Sequence, residues 1–140
     1  MEYKKYGDRR LRHWASVPFI WMMMFPLVLL DIMMEIYHRV CFMLYGIPYI
    51  SRDKYILMDR QRLKYLPWYD KLNCAYCGYA NGLLSYAVAI AGATEKYWCG
   101  IKHKPMKRFI EPAHQKDFMA YGDKKAFEKV CKLENGVKRN

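Results

Sequence analysis

The chain has 140 residues, enough for one domain and too few for two independent cores, so it reads as a single domain, 1–140. Thirteen Tyr, four Trp and ten Met, with 54 % hydrophobic residues, exclude a disordered chain. A net charge of +11 selects polyanionic partners; an anionic phospholipid membrane is expected, since Tyr and Trp suit a lipid–water interface, and nucleic acid is disfavoured because no nucleic-acid motif accompanies the charge.

Residues 1–14 form a basic N-terminal segment that includes Lys4, Lys5, Arg9, Arg10 and Arg12. Arg9, Arg10 and Arg12, with Arg60 and Arg62 further on, are the candidate contacts to lipid headgroups. A membrane-inserting helical segment is expected over 15–45, because no charge occurs from Val17 to Leu30. Ser16 is placed to cap its start, and Pro18 falls in a first turn, where a missing N–H costs least. Pro26 lies inside the run and should kink or break it.

The uncharged run is shorter than the roughly 20 residues that span hydrocarbon, but continuing through Asp31 to Tyr37 reaches that length. Two topologies follow. In one, a transmembrane helix crosses the bilayer. In the other, a re-entrant or monotopic segment bends at Pro26 and keeps both basic flanks on the cytoplasmic face. The positive charge on both flanks favours the second. No small-residue cleavage site follows the run, so a retained segment and a reducing compartment are expected, where C-x-x-C favours metal or redox chemistry over a structural disulfide.

Asp31, Glu35 and His38 share one helical face at spacings of four and three. Glu35-x-x-His38 is half of a helical di-iron motif, which makes the three residues a possible second metal site. The plainer reading pairs Glu35 with Arg39 at i,i+4 at the membrane boundary. Another Glu-x-x-His, Glu111 to His114, contains Pro112 and makes a poor helix. Gly46-Ile47-Pro48 should end the helix. Residues 49–70 are amphipathic, suited either to a membrane-surface helix or to a helix packed on the protein.

The region 49–104 carries the cysteine segment. Cys74 and Cys77 form C-x-x-C, and Cys99 with His103 forms C-x3-H. Together they have the donors of a Cys3His zinc site or of an iron–sulfur cluster. Residues 83–98 look helical, however, and an unbroken helix from Cys77 to Cys99 separates the pairs by roughly 33 Å. A shared metal therefore needs a break near Ala91-Gly92 or a fold-back at Asn81-Gly82; Cys41 is the other candidate to join Cys74 and Cys77. Two further readings stand beside the metal: a thiol-redox pair at a helix start, and buried cysteines that pack as small hydrophobes.

The phrases R-L-R-H-W-A-S-V-P-F-I, P-L-V-L-L-D, E-I-Y-H-R-V-C-F, L-Y-G-I-P, K-L-N-C-A-Y-C-G-Y-A-N-G-L-L and Y-W-C-G-I-K-H resemble an uncharacterised family of small bacterial membrane-associated proteins, over roughly residues 10–104. The resemblance implies a bacterial origin and a shared architecture, hence a place at the bacterial inner membrane with the soluble parts cytoplasmic. The tail, 105–140, is basic, and Asp123 is placed to cap a short helix, 124–134, that buries Phe127, Val130 and Cys131 or Leu133 and ends at Asn135-Gly136.

No P-loop, dinucleotide fingerprint, G-x-S-x-G or H-E-x-x-H occurs, which disfavours hydrolases and nucleotide-dependent enzymes, and no catalytic residue is legible. The expected fold is all-α: an N-terminal membrane-inserting helix, transmembrane or re-entrant, then a small helical cysteine-containing region. The expected function is binding a metal or iron–sulfur cluster as a small subunit, electron-transfer or assembly factor beside other membrane-complex subunits. The alternatives are a structural membrane adaptor without cofactor and a di-iron or thiol-redox oxidoreductase.

Overall fold

The computed structural model describes residues 6–137, with the side chains of Arg10 and 133–137 excepted. The expectations for Lys4, Lys5, the Arg10 head and Leu133 lie outside the described residues. Among the described residues there are four α-helices, α1 (Arg10–Met22), α2 (Met24–Tyr45), α3 (Trp68–Trp98) and α4 (Lys124–Val137), with short 3₁₀ turns before and between them. Among the described residues there is no strand, only an isolated bridge between Ile101 and Met119. The chain forms two compact units, Met1–Ala87 and Val88–Asn140, and α3 runs through both.

The first helix starts at Arg10, earlier than Ser16. Ser16 is therefore inside α1, where its hydroxyl donates back to the His13 carbonyl at 2.7 Å instead of capping. Pro18 is likewise interior. The ladder is interrupted one turn before Pro26, as a missing N–H requires: the Met22 carbonyl receives no bond from residue 26. Met23 N–H turns to the Ile20 carbonyl (3.2 Å), and Leu27 N–H resumes the α pattern on Met23 (3.2 Å). Met23 keeps right-handed helical angles, φ −67° and ψ −16°, so the chain continues forward and does not double back. The end of α2 follows expectation. Gly46 adopts φ +68°, and Ile47 N–H closes the turn on the Phe42 carbonyl at 3.0 Å.

Residues 47–67 do not form the amphipathic helix that their pattern suggests. They make two 3₁₀ turns, Arg52–Lys54 and Arg60–Arg62, in an otherwise irregular strap. The cause is tertiary. This strap runs back along α2 and α3, and its backbone lies directly on two glycines of α3. A methyl group added at Gly82 would meet the Tyr55 carbonyl oxygen at 2.7 Å and Ile56 Cα at 2.9 Å; one at Gly78 would meet the Leu57 oxygen at 3.2 Å. A helical strap would be too thick for that approach.

With the strap between them, α2 and α3 run in the same direction. Trp21 meets Tyr76 (ring centroids 5.5 Å apart), Leu27 packs with Ala80 and Leu83, and His38 meets Tyr86 (5.7 Å). Ile56, Tyr76 and Tyr79 complete this cluster. In the second unit, α3 ends at Trp98 and is closed by Gly100, φ +58°, whose N–H and that of Cys99 both donate to the Glu95 carbonyl at 3.0 and 2.8 Å. A methyl at Gly92 would lie 2.8 Å from His114 Cγ. Asp123 caps α4 as expected, accepting from Ala126 N–H at 3.0 Å, but Phe127 and Val130, expected to be buried, are exposed, and α4 runs past Asn135-Gly136 to Val137.

Gly82→Ala tests the strap contact. Helix propensity alone would favour alanine by about 1 kcal/mol, whereas overpacking against fixed backbone costs about 1–3 kcal/mol. The expected outcome in a thermal melt followed by circular dichroism is a net loss of several degrees, larger than for Gly78→Ala.

Candidate functional site

Polarity in α2 is arranged opposite to that of a helix in a water-soluble core. Its inner face carries Asp31, Glu35 and His38 with Leu27 and Phe42, and its outer face is apolar and exposed. Phe25 is 79 % exposed, Ile36 56 % and Met43 76 %. Leu11–Tyr45 is long and apolar enough to cross a membrane, and only 6 % of its most apolar stretch is buried. A core helix of that hydropathy would bury most of it. Among the described residues the buried apolar side chains are few, Leu27, Phe42, Ala80, Leu83 and Tyr86 in the first unit. The protein's own fold leaves this face uncovered.

The inner face is satisfied group by group. The Asp31 carboxylate accepts a two-pronged bond from Arg52, to Oδ1 from Nη1 and to Oδ2 from Nη2 at 2.7 Å. Tyr79 donates to the same Oδ2 at 2.8 Å. Glu35 accepts from Arg39 Nε at 2.8 Å and from the Tyr49 hydroxyl at 3.2 Å. The i,i+4 pair read from sequence is therefore present. His38 is fully buried, its ring stacked on Tyr49 at 4.2 Å.

The partners of His38 determine its tautomer. Ile50 N–H donates to Nε2 at 3.2 Å, so Nε2 carries no proton and the proton is on Nδ1. Nδ1–H then donates to the Tyr86 oxygen at 2.8 Å, which leaves the Tyr86 hydroxyl to donate to Glu35 Oε2 at 3.4 Å. The result is a directed chain from strap backbone through imidazole and phenol to carboxylate. Burial and the bond to Asp31 push the Tyr79 phenol up to about 12. Tyr86 is also raised, chiefly by burial. The hydrogen bond to Asp31 strengthens the hold of Arg52 on its proton.

The remaining sequence candidates are dispersed. Cys74 and Cys77 are one turn apart on α3, the first half-buried and the second exposed. Cys99 follows the last residue of α3 and is exposed; His103 is exposed, edge-on to Phe109 at 5.0 Å. Cys41 is half-buried on α2. The helix breaks neither at Asn81-Gly82 nor at Ala91-Gly92, because Gly82 and Gly92 receive neighbouring groups at close range and do not turn the chain. Among the described residues no three His, Cys, Asp or Glu side chains are grouped to hold a metal ion. Asp31, Glu35 and His38 are each committed to the partners above. Glu111 pairs with Lys102 at 2.7 Å, while His114 bonds Glu95 at 2.7 Å.

Of the basic candidates, Arg9, Arg12, Arg60 and Arg62 have exposed side chains, with Arg9 over the Tyr6 ring at 4.5 Å. The reading from sequence missed Arg52, Tyr49, Tyr79 and Tyr86. One signal was present: Tyr79 and Tyr86, seven apart on a helix, match the seven-residue spacing of Asp31 and His38. No protein-family model, curated protein or solved structure matches the chain.

Two outcomes follow. Tyr86→Phe strands the buried His38 Nδ1–H and should cost about 1–3 kcal/mol in denaturant unfolding. A phenol raised in the folded state adds stability that is complete below about pH 10, its unfolded value, and is lost as pH climbs toward the folded value of about 12. Melting temperature should therefore fall over that window, and less steeply in Tyr79→Phe than in the parent chain.

Proposed function

We propose that this protein is a structural membrane adaptor, held on an anionic phospholipid membrane by α1 and α2 and presenting the rest of its surface to other membrane-complex subunits. The observation that carries this reading is the outward apolar face of α2 opposite a fully partnered polar face. Lipid is the solvent in which that arrangement costs nothing on the outside, since Asp31, Glu35 and His38 on the inner face of α2 already have partners. Exposed Arg9, Arg12, Arg60 and Arg62 supply the cations that anionic headgroups attract. A cytoplasmic face of a bacterial inner membrane is the setting that the charge distribution and the sequence resemblance favour.

Flotation with vesicles tests it. The full chain should rise with phosphatidylcholine–phosphatidylglycerol vesicles, and Leu29→Asp with Ile36→Asp should leave it in the aqueous fraction with its helical signal retained. Each charge placed in hydrocarbon costs up to about 3 kcal/mol. A parent chain that stays in solution, or a double variant that still floats, rejects the adaptor.

The second reading is a metal or thiol site on α3, a role in electron transfer or cofactor assembly. What favours it is the C-x-x-C itself: Cys74 and Cys77 lie at i,i+3, and Cys77 is open to solvent. Two thiolates on one helix make half of a zinc or iron–sulfur site, to be completed by donors from a partner. Metal and sulfide analysis of protein prepared without oxygen decides between the two. The adaptor predicts that Cys74→Ser with Cys77→Ser still floats and melts as the parent does. Stoichiometric zinc or iron, lost in that variant, would favour the cofactor.

A further inference from the structure

Resting on the membrane reading above, we infer that α1 and α2 lie in the plane of one leaflet and do not cross the bilayer, with their outward stripe facing the acyl chains. Three observations point the same way. The first is the stripe itself. Leu11, Trp14, Met22, Phe25, Leu29 and Met43 are exposed and recur at helical spacing on one side of both helices, carried through residue 23 by its helical angles. From Leu11 to Met43 the stripe is about 48 Å long at about 1.5 Å per residue. Hydrocarbon is about 30 Å thick, so an upright or ordinarily tilted helix would leave much of the stripe in water. An in-plane helix buries all of it.

The second is the strap. Because α2 and α3 run in the same direction, the chain must return between them, and it does so as irregular backbone carrying Arg52, Asp53, Lys54, Asp59, Arg60 and Arg62. A methyl at Gly78 would lie 3.6 Å from Arg60 Nη2. Gly78 falls between Tyr76, beside Trp21, and Ala80, beside Leu27. Arg60 is therefore level with the middle of the uncharged stretch of α1–α2. A crossing helix would carry this charged, non-helical strap to the centre of the bilayer, where lipid-exposed irregular backbone does not occur. The strap packs against the inner face of α2, through Tyr49 on His38 and Arg52 on Asp31. In the in-plane arrangement it faces headgroups and water.

The third is the outer side of α3 in the same unit. Its exposed residues are mixed, with Asn73, Cys77, Asn81 and Ser85, four apart, beside exposed Leu72 and Leu84, whereas the outward row of α2 is apolar. The α2 side of the unit is thus the more apolar of the two. Arg12 and Arg39 are exposed at the borders of the apolar stripe, where an in-plane helix extends its cations to phosphates.

Spin-label depth measurement tests this. Leu29→Cys, Ile36→Cys, Met43→Cys and Arg62→Cys, each in a background with the five native cysteines changed to serine, are labelled with nitroxide and bound to phosphatidylcholine–phosphatidylglycerol vesicles. Labels at 29, 36 and 43 should share one depth, about 5–10 Å below the headgroups, with 62 in water. Depths at 29 and 43 that differ by about 21 Å, the rise over fourteen residues, with 62 shielded, would overturn the in-plane arrangement while leaving membrane association intact. Labels immobilised without vesicle binding, in a soluble dimer or higher oligomer, would instead overturn the membrane reading and make a second copy the occupant of the stripe. The unaltered chain gives an independent answer by polarised infrared absorption on aligned bilayers. An amide I dichroism of helices parallel to the bilayer supports the inference, and one of helices along the normal rejects it.

Discussion

The grip of Arg52 and Tyr79 on the Asp31 carboxylate sets the rotation of α2 about its own axis. An apolar helix has no strong reason to choose one face over another for packing, because most of its faces are equally greasy. A carboxylate and an imidazole change that. They must be turned toward partners, since leaving either without one costs more than any apolar contact on that helix returns. Once Asp31, Glu35 and His38 face inward, the opposite side of α2 faces outward, and it is apolar without exception from Phe25 to Met43 apart from Arg39 at its margin. Polar pairing, and not apolar burial, orients the outward apolar surface.

The same pairing explains the strap. Arg52, Tyr49 and the Ile50 N–H all come from residues 49–52, so the segment after α2 is pulled back along the helix it has just left. It then needs a surface on α3 that a backbone can approach, and Gly78 and Gly82 provide it. Small residues four apart on a helix commonly admit a second helix. Here they admit an extended chain of the same molecule. A consequence is that α2 and α3 run parallel, with the strap and its mostly exposed charged residues laid alongside them.

The second unit repeats the device on a smaller scale. Gly92 gives His114 a place against α3, and Glu95 takes both His114 and Gln115 at 2.7 Å. Glycines that look like hinges in a list of residues serve, in both units, as seats for groups packed from outside. For this reason α3 is continuous, and Cys74 and Cys77 share a helix with the glycines.

Much of the architecture was legible in the residues. Hydropathy located the long apolar helical segment, the Gly46-Ile47-Pro48 stop and the Asp123 cap were in the right places, and the Glu35–Arg39 pair followed from spacing alone. These depend on neighbours within a turn or two, where local geometry is decisive. The strap was misread as a helix because its amphipathic pattern was genuine, yet its backbone is set by contacts with α3 far along the chain. Sequence by itself determined that this protein has an apolar N-terminal helix with a polar row, because composition and a period of 3.6 need no tertiary partner. Only the tertiary structure decided which way that row turns and what lies beside it, since the partners of Asp31 and His38 are separated from them by the length of a loop or by 48 residues of chain.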